Sequence, residues 1–402
     1  MALVEERPVA VKFTGTRREM GGLLLRGYGL LLPTIGLYRF WLTTWKRRFY
    51  WAHTEIDGDA LEYTGNAMQL LLGFLMAVAV FLPLYGLFFY FSTLSQEAAF
   101  SGYGGVAVLV WFLMGYATYR ARDFRLSRTL WRGIRFDQAG SAWNYAFRRF
   151  FWSLLVIATA GLAYPFMSAN LWSYRYRNSW YGDRQFGFNG GWKLLAKPYY
   201  LAWLACAVIG VTGLTIGWSM GALPDAGEPN LVGYIPMVVS ALLIGAVHLL
   251  YRARELSRML SSVRLGGAAL SVTLRGRSLI GQYLLFGLAL AGLLVVLAIG
   301  GLLVLGALAG DAFADGAFDM AVFMQHLQSS FLVLLAIIFG YLLVLAAFTM
   351  MAELFLGLAF WKLVASNASI TDVDSLRSVR ARGEDRALAG EGLADALNVG
   401  SY

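Results

Sequence analysis

Charge is scarce in this chain: Asp, Glu, Lys and Arg make up 14% of 402 residues, too little to cover a water-soluble globule. That excludes a soluble enzyme. Cysteine is nearly absent, and the single Cys206 excludes an internal disulfide. There are three histidines, His53, His248 and His326, at no ligand spacing, so neither a metal site nor any other bound cofactor is expected. Acidic residues are outnumbered 24 to 33 by Lys and Arg, a net charge of +9. No apolar core of a signal peptide is visible in residues 1–20.

What is present is apolar and aromatic: 58% of residues are hydrophobic and 15% are Phe, Trp or Tyr. These lie in long unbroken runs rather than at period two, which excludes a transmembrane barrel and leaves a mainly α polytopic membrane protein. Eight runs stand out, at 21–41, 67–93, 104–119, 150–171, 198–219, 232–251, 279–308 and 329–361. The first and fourth carry helix-breaking centres, Pro33 with Gly36 and Gly161 with Pro165.

Lys and Arg are retained on the cytoplasmic side in short loops, so their distribution orients the spans. The loops at 94–103, 220–231 and 309–328 contain no Lys or Arg but hold Glu97, Asp225, Glu228, Asp311, Asp315 and Asp319, which places them outside. The other connections hold Arg47 and Arg48, the ladder Arg120, Arg122, Arg125, Arg128, Arg132 and Arg135, then Arg175, Arg177, Arg252 and Arg254, which places them inside. Segments one and four therefore have basic loops at both ends. They are read as re-entrant, leaving six full spans with both termini cytoplasmic; the alternative is eight ordinary crossings.

A repeat supports this division. "TIGLYRFW" with "RRFYWAHTEIDGDALEYTG" (Thr34 to Gly65) is echoed by "TAGLAYPF" with "YRYRNSWYGDRQFGFNG" (Thr159 to Gly190). Related cassettes run from Tyr119 to Gly140 and from Tyr251 to Gly267, both opening Tyr-Arg-Ala-Arg. Each reads as a short cytoplasmic β-hairpin: Asp57-Gly58 tolerates the positive φ of a tight turn, and the flanks alternate at period two. Lys12 to Gly15 reads as an orphan closing strand of the same kind. The expected division is a segment 1–20, membrane repeats 21–142 and 143–268, a diverged helix pair 269–369 and a mobile or weakly helical tail 370–402.

These motifs, with "RLSRTLWRGIRF" and "NSWYGDRQFGF", make residues 10–270 resemble the YjgN-like family of bacterial inner-membrane proteins. The resemblance implies a multi-pass inner-membrane protein and carries no activity. The C-terminal third departs from the pattern and keeps only "FWKLVASNAS".

Glu353 lies nine residues before Lys362, about 14 Å at 1.5 Å per residue, where ionisation needs a partner. It is the candidate intramembrane ion or proton site, with Arg26 or His248 as partners, although Arg26 is also placed to snorkel. The ladder with Arg47, Arg48, Arg175 and Arg177 reads as topogenic charge and a surface for anionic lipid headgroups or a partner protein, not for nucleic acid. Gly213 and Gly217 stand four apart, a spacing that lets helices approach closely. No nucleophile has a base at recognisable spacing, so no enzyme is expected. The reading is a transporter- or channel-like protein moving an ion or small solute. Its alternative is a non-transporting scaffold in the bilayer; a homo-oligomer is compatible with either.

Overall fold

The computed structural model describes residues 8–31, 33–222, 230–313 and 318–382. Asp225, Glu228, Asp315 and the tail beyond 382 lie outside the described residues.

Five helical hairpins rise from one β-ring. The ascending arms are α1 (Arg17–Leu31), α3 (Ala67–Ser92), α5 (Ala142–Ala158), α7 (Trp192–Ser219) and α9 (Gly276–Leu308). The returning arms are α2 (Arg39–Ala52), α4 (Gln96–Ser127), α6 (Tyr164–Arg177) and α8 (Tyr234–Leu260). A short α10 (Met320–Ser329) precedes the last return, α11 (Phe331–Ala352), which runs through a π-turn at Glu353–Gly357 into α12 (Leu358–Ser366).

Among the described residues, six helices are long and apolar enough to cross a membrane: Ala67–Ser92, Gln96–Ser127, Trp192–Ser219, Leu231–Leu260, Gly276–Leu308 and Phe331–Ser366. The other two hairpins are short. At 15 residues α1 is only about 22 Å long, shorter than a bilayer core of about 30 Å. Both short hairpins turn through the same device. Ile35 and Gly36 have φ of +49° and +80°, Ala160 and Gly161 of +49° and +96°. In each, a threonine hydroxyl donates to a carbonyl four residues back (Thr34 to Leu30, 2.7 Å; Thr159 to Leu155, 2.8 Å). The same hydroxyl accepts from the backbone N–H four residues on, Tyr38 or Ala163, at 3.1 Å. Gly36 and Gly161 thus mark the turns, with Pro33 exposed before the first and Pro165 buried in the first turn of α6.

Between helices lie β3 (Thr54–Ile56) and β4 (Asp59–Tyr63), β5 (Thr129–Trp131) and β6 (Ile134–Gln138), β7 (Ser179–Tyr181) and β8 (Arg184–Phe188), and β9 (Val263–Leu265) and β10 (Ala268–Val272). Each pair is a three-residue strand, a tight turn and a five-residue strand. Asp57-Gly58 (φ +54°, +85°) and Arg132-Gly133 (φ +52°, +73°) have both central residues left-handed, as a right-twisted hairpin prefers.

The short hairpins expected from the sequence are part of a larger structure than that expectation described. Every hairpin pairs antiparallel with the next, making one sheet in the order β1-β11-β10-β9-β8-β7-β6-β5-β4-β3-β2. Its two edges, β1 (Val9–Ala10) against β11 (Ala368–Thr371) and β2 (Lys12–Phe13) against β3, are consecutive halves of the N-terminal segment. The chain therefore closes the ring through Val11, whose N–H donates to the Ala368 carbonyl at 3.0 Å. The physical reason is the edge: an isolated hairpin exposes unpaired N–H and C=O groups on both sides, and closure removes them. The tail expected from residue 370 also begins later. Thr371 is still strand, and Val373–Ser378 forms a 3₁₀ turn whose Val373 and Leu376, with the following Val379, pack among Trp131, Tyr181 and Leu265 in the ring.

Candidate functional site

The geometry above the ring follows from the returning helices' C-terminal caps. Asn178, Ser262 and Asn367 donate side-chain hydrogen bonds to carbonyls four residues back, at 2.7–2.8 Å. Thr54, Thr129 and Ser179, opening the next strands, do the same to Tyr50, Arg125 and Arg175. These bonds satisfy last-turn carbonyls that have no intrahelical partner. They also tie each helix end to the strand that follows it.

Upstream of these ends, side chains from α2, α4, α6, α8 and α12 line a cavity of about 520 Å³. Its charge is one-sided: Arg122, Arg125, Arg175 and Arg252 against the single carboxylate Glu255. Trp51, Trp172, Tyr176 and Trp361 supply aromatic wall. Glu255 is 1% exposed and saturated: it accepts from Ser168 Oγ at 2.6 Å, Arg252 Nη1 at 3.0 Å and Tyr164 OH at 3.2 Å. Arg122 is pinned by Gln138 and by Ser179 Oγ at 2.8 Å, with its guanidinium 5.0 Å from the Tyr176 ring centre. Below, in the ring, burial pushes the Tyr181 phenol up to about 12, so it stays a neutral donor to the Trp131 carbonyl at 2.9 Å.

Glu353 has partners other than those expected. Lys46 Nζ lies 2.8 Å from one carboxylate oxygen and Tyr50 OH 2.5 Å from the other. Arg26 and His248 are exposed on α1 and α8, and the structure does not bring them to Glu353. The arginines of the basic connections disperse. Arg122, Arg125 and Arg175 line the cavity, while Arg47 is buried against Tyr63 OH at 3.0 Å. Arg48 donates to the Gly65 carbonyl, Arg128 to Gln69 and Arg177 to the Phe188 carbonyl. Arg132 bridges Asp57 and Asp59 at 2.7 and 2.5 Å, and Arg135 is half-buried on β6 opposite Leu130.

Sequence reasoning passed over Glu255 and took Arg252 and Lys46 only as topogenic charge. It also passed over three donors on α7: Tyr199 OH to the Gly161 carbonyl (2.7 Å), Tyr200 OH to Leu162 (3.1 Å) and Trp203 Nε1 to Ala160 (2.9 Å). These satisfy the carbonyls of the α5–α6 turn. The signal available for Glu255 was the doubled Tyr-Arg-Ala-Arg-acid motif, with Arg120–Asp123 and Arg252–Glu255 ion-paired alike at 3.1 and 3.0 Å.

Six apolar helices long enough to span, gathered on one small ring, define a multi-pass helical membrane protein. The chain belongs to the DUF898 family, described as bacterial protein of unknown function, with the match spanning residues 8–294. That covers the ring from β1 to β10 and ends within α9. No curated protein and no solved structure matches the chain.

Proposed function

We propose that the protein is transporter- or channel-like and that the central cavity is the station through which a small charged solute passes. The carrying observation is the cavity's lining, to which all five returning arms contribute side chains. The short hairpins then act as re-entrant segments that shape it from the membrane side. Supporting that role, the α5–α6 turn has its carbonyls satisfied by Tyr199, Tyr200 and Trp203, the provision a turn needs where water is scarce. The arginine-rich connections put the ring on the cytoplasmic face. No chemical step is assigned to the site.

The scaffold reading has less to stand on. It required a basic outer surface, whereas most of the arginines counted for it are bonded within the fold or turned into the cavity. The test is flux. Purified protein in liposomes should pass a small charged solute at a rate changed by Arg252→Gln, with the variant's fold checked by thermal melting. A tight bilayer across inorganic ions and small organic acids and amines would reject the proposal.

A further inference from the structure

We infer that the cavity selects a small organic anion, a carboxylate or phosphate head on an apolar or aromatic body, with Arg175 and Arg252 as its anchors. This rests on reading the cavity as the solute's site, and it names the solute's class. Three observations lead to it. First, the carboxylate does not call for a cation: Glu255 already accepts from Tyr164, Ser168 and Arg252, which occupy the lone pairs a cation would use. Second, the lining holds four arginines and one carboxylate, so positive charge is in excess. Arg175 spends only Nε, on the Leu171 carbonyl at 3.3 Å, with its guanidinium 4.9 Å from the Trp172 ring centre; its terminal nitrogens have no hydrogen-bond partner among the described residues. Arg252 uses Nη1 for Glu255. A guanidinium with free terminal nitrogens is a fork for a planar carboxylate or a phosphate. Third, the volume of about 520 Å³ falls in the range of pockets that hold drug-sized ligands, well beyond an inorganic ion, and the walls beside the arginines are aromatic.

The pinned arginine has a different part. Arg122 is held by Gln138, Ser179 and the Tyr176 ring, so it supplies fixed positive potential at short range. Stacking on Trp172 presets the Arg175 plane, so less side-chain freedom is lost when the anion docks.

The test is isothermal titration of the purified full chain with four probes at millimolar concentration: phenylacetate, its neutral analogue phenylacetamide, inorganic phosphate and phenyltrimethylammonium. The expected result is that phenylacetate binds at least about tenfold tighter than each of the others, because the charge and the body are both read. Arg175→Gln should remove most of that preference for charge, and Arg175→Lys should restore part of it. Melting temperature and elution volume establish that each variant folds; if neither does, the four probes on the unaltered protein decide. Equal binding of the amide, tighter binding of the cation, tighter binding of phosphate alone, or no heat from any probe would overturn the inference. A further arm separates a free acid from a lipid: if phenylacetate binds only after phosphatidylglycerol is stripped from the preparation, the anion held is a lipid headgroup and the free-acid assignment fails. Binding of phenylacetate without flux in liposomes sinks the transport proposal and leaves the anion site standing. Flux without preference for anions does the reverse.

Discussion

At the scale of single residues, the Lys46–Glu353 ion pair explains why an acid is tolerated in the last long apolar helix. Glu353 sits where α11 widens into a π-turn, and Lys46 and Tyr50 reach it from α2, 307 and 303 residues away in sequence. Both charged side chains are mostly shielded, at 23% and 15% exposure, so removing either one strands the other in a poor solvent. Glu353→Gln and Lys46→Met are each expected to lower the melting temperature, and the double variant should recover part of the loss. A fully additive double variant, measured in the same detergent, would show that the pair contributes no coupling. The partner was not readable from sequence, because it depends on how the ring brings the first and last returning arms together. Glu255 was hidden for a related reason. Tyr119 precedes the strand residue Thr129 by ten, while Tyr251 precedes Val263 by twelve, and two residues rotate a helix face by about 200°. The same motif therefore turns its acid into the cavity in α8 only. Gly213 and Gly217 were legible outright: Cβ atoms there would collide with Ser240 and Met237 of α8.

At the scale of elements, the ring's width accounts for the segment that fills it. A barrel of about eight strands is just filled by its own side chains, and this ring is wider, with strands of only two to five residues. Val373, Leu376 and Val379 supply the missing apolar volume, meeting Ile56, Leu61, Ile134, Phe136 and Phe186 from the strands. The strap is also fastened at its end: the Asp183 N–H donates to the Arg380 carbonyl at 3.0 Å, and the Arg380 N–H returns a bond to Asp183 Oδ1 at 3.1 Å. Leu376→Asp buries an unpaired carboxylate in this interior, so it should release the strap. Hydrogen exchange should then accelerate at the amides of residues 375–380, and at β7, while the long spans keep their protection. Unchanged exchange at Asp183 and Arg380 would mean the strap is held by something other than its apolar face. Tight turns and period-two strands showed in the sequence because they are local. One edge of the closure showed as well, in the closing strand read at Lys12 to Gly15, which pairs with β3; the other did not, since it joins Val9 to Ile370 across nearly the whole chain.

At the scale of the whole molecule, one arrangement repeats five times among the described residues: a strand leads up a helix, over a turn, down a second helix and into the next hairpin. The N-terminal segment and β11 complete the fifth pair, so the chain opens and closes within one unit of the ring. Among the described residues, the three long helical pairs and the two short hairpins all begin and end at this ring, which groups the connections into two sets. Asp57, Asp137 and Asp183 belong to the ring, whereas Glu97, Asn230 and Ser329 lie at the far ends of the three long pairs. Single cysteines at these six positions in a Cys206→Ala background, labelled on intact cells with an impermeant maleimide, should divide cleanly by this grouping. With the ring cytoplasmic, the far-end positions label and the ring positions stay protected until the cells are opened. The opposite pattern would invert the orientation while preserving the architecture, since the arginines would then sit outside. Labelling of Asp183 apart from Asp57 and Asp137 would break the ring itself, because strands β6 and β7 cannot pair through Asp137 and Trp180 from opposite sides of a bilayer.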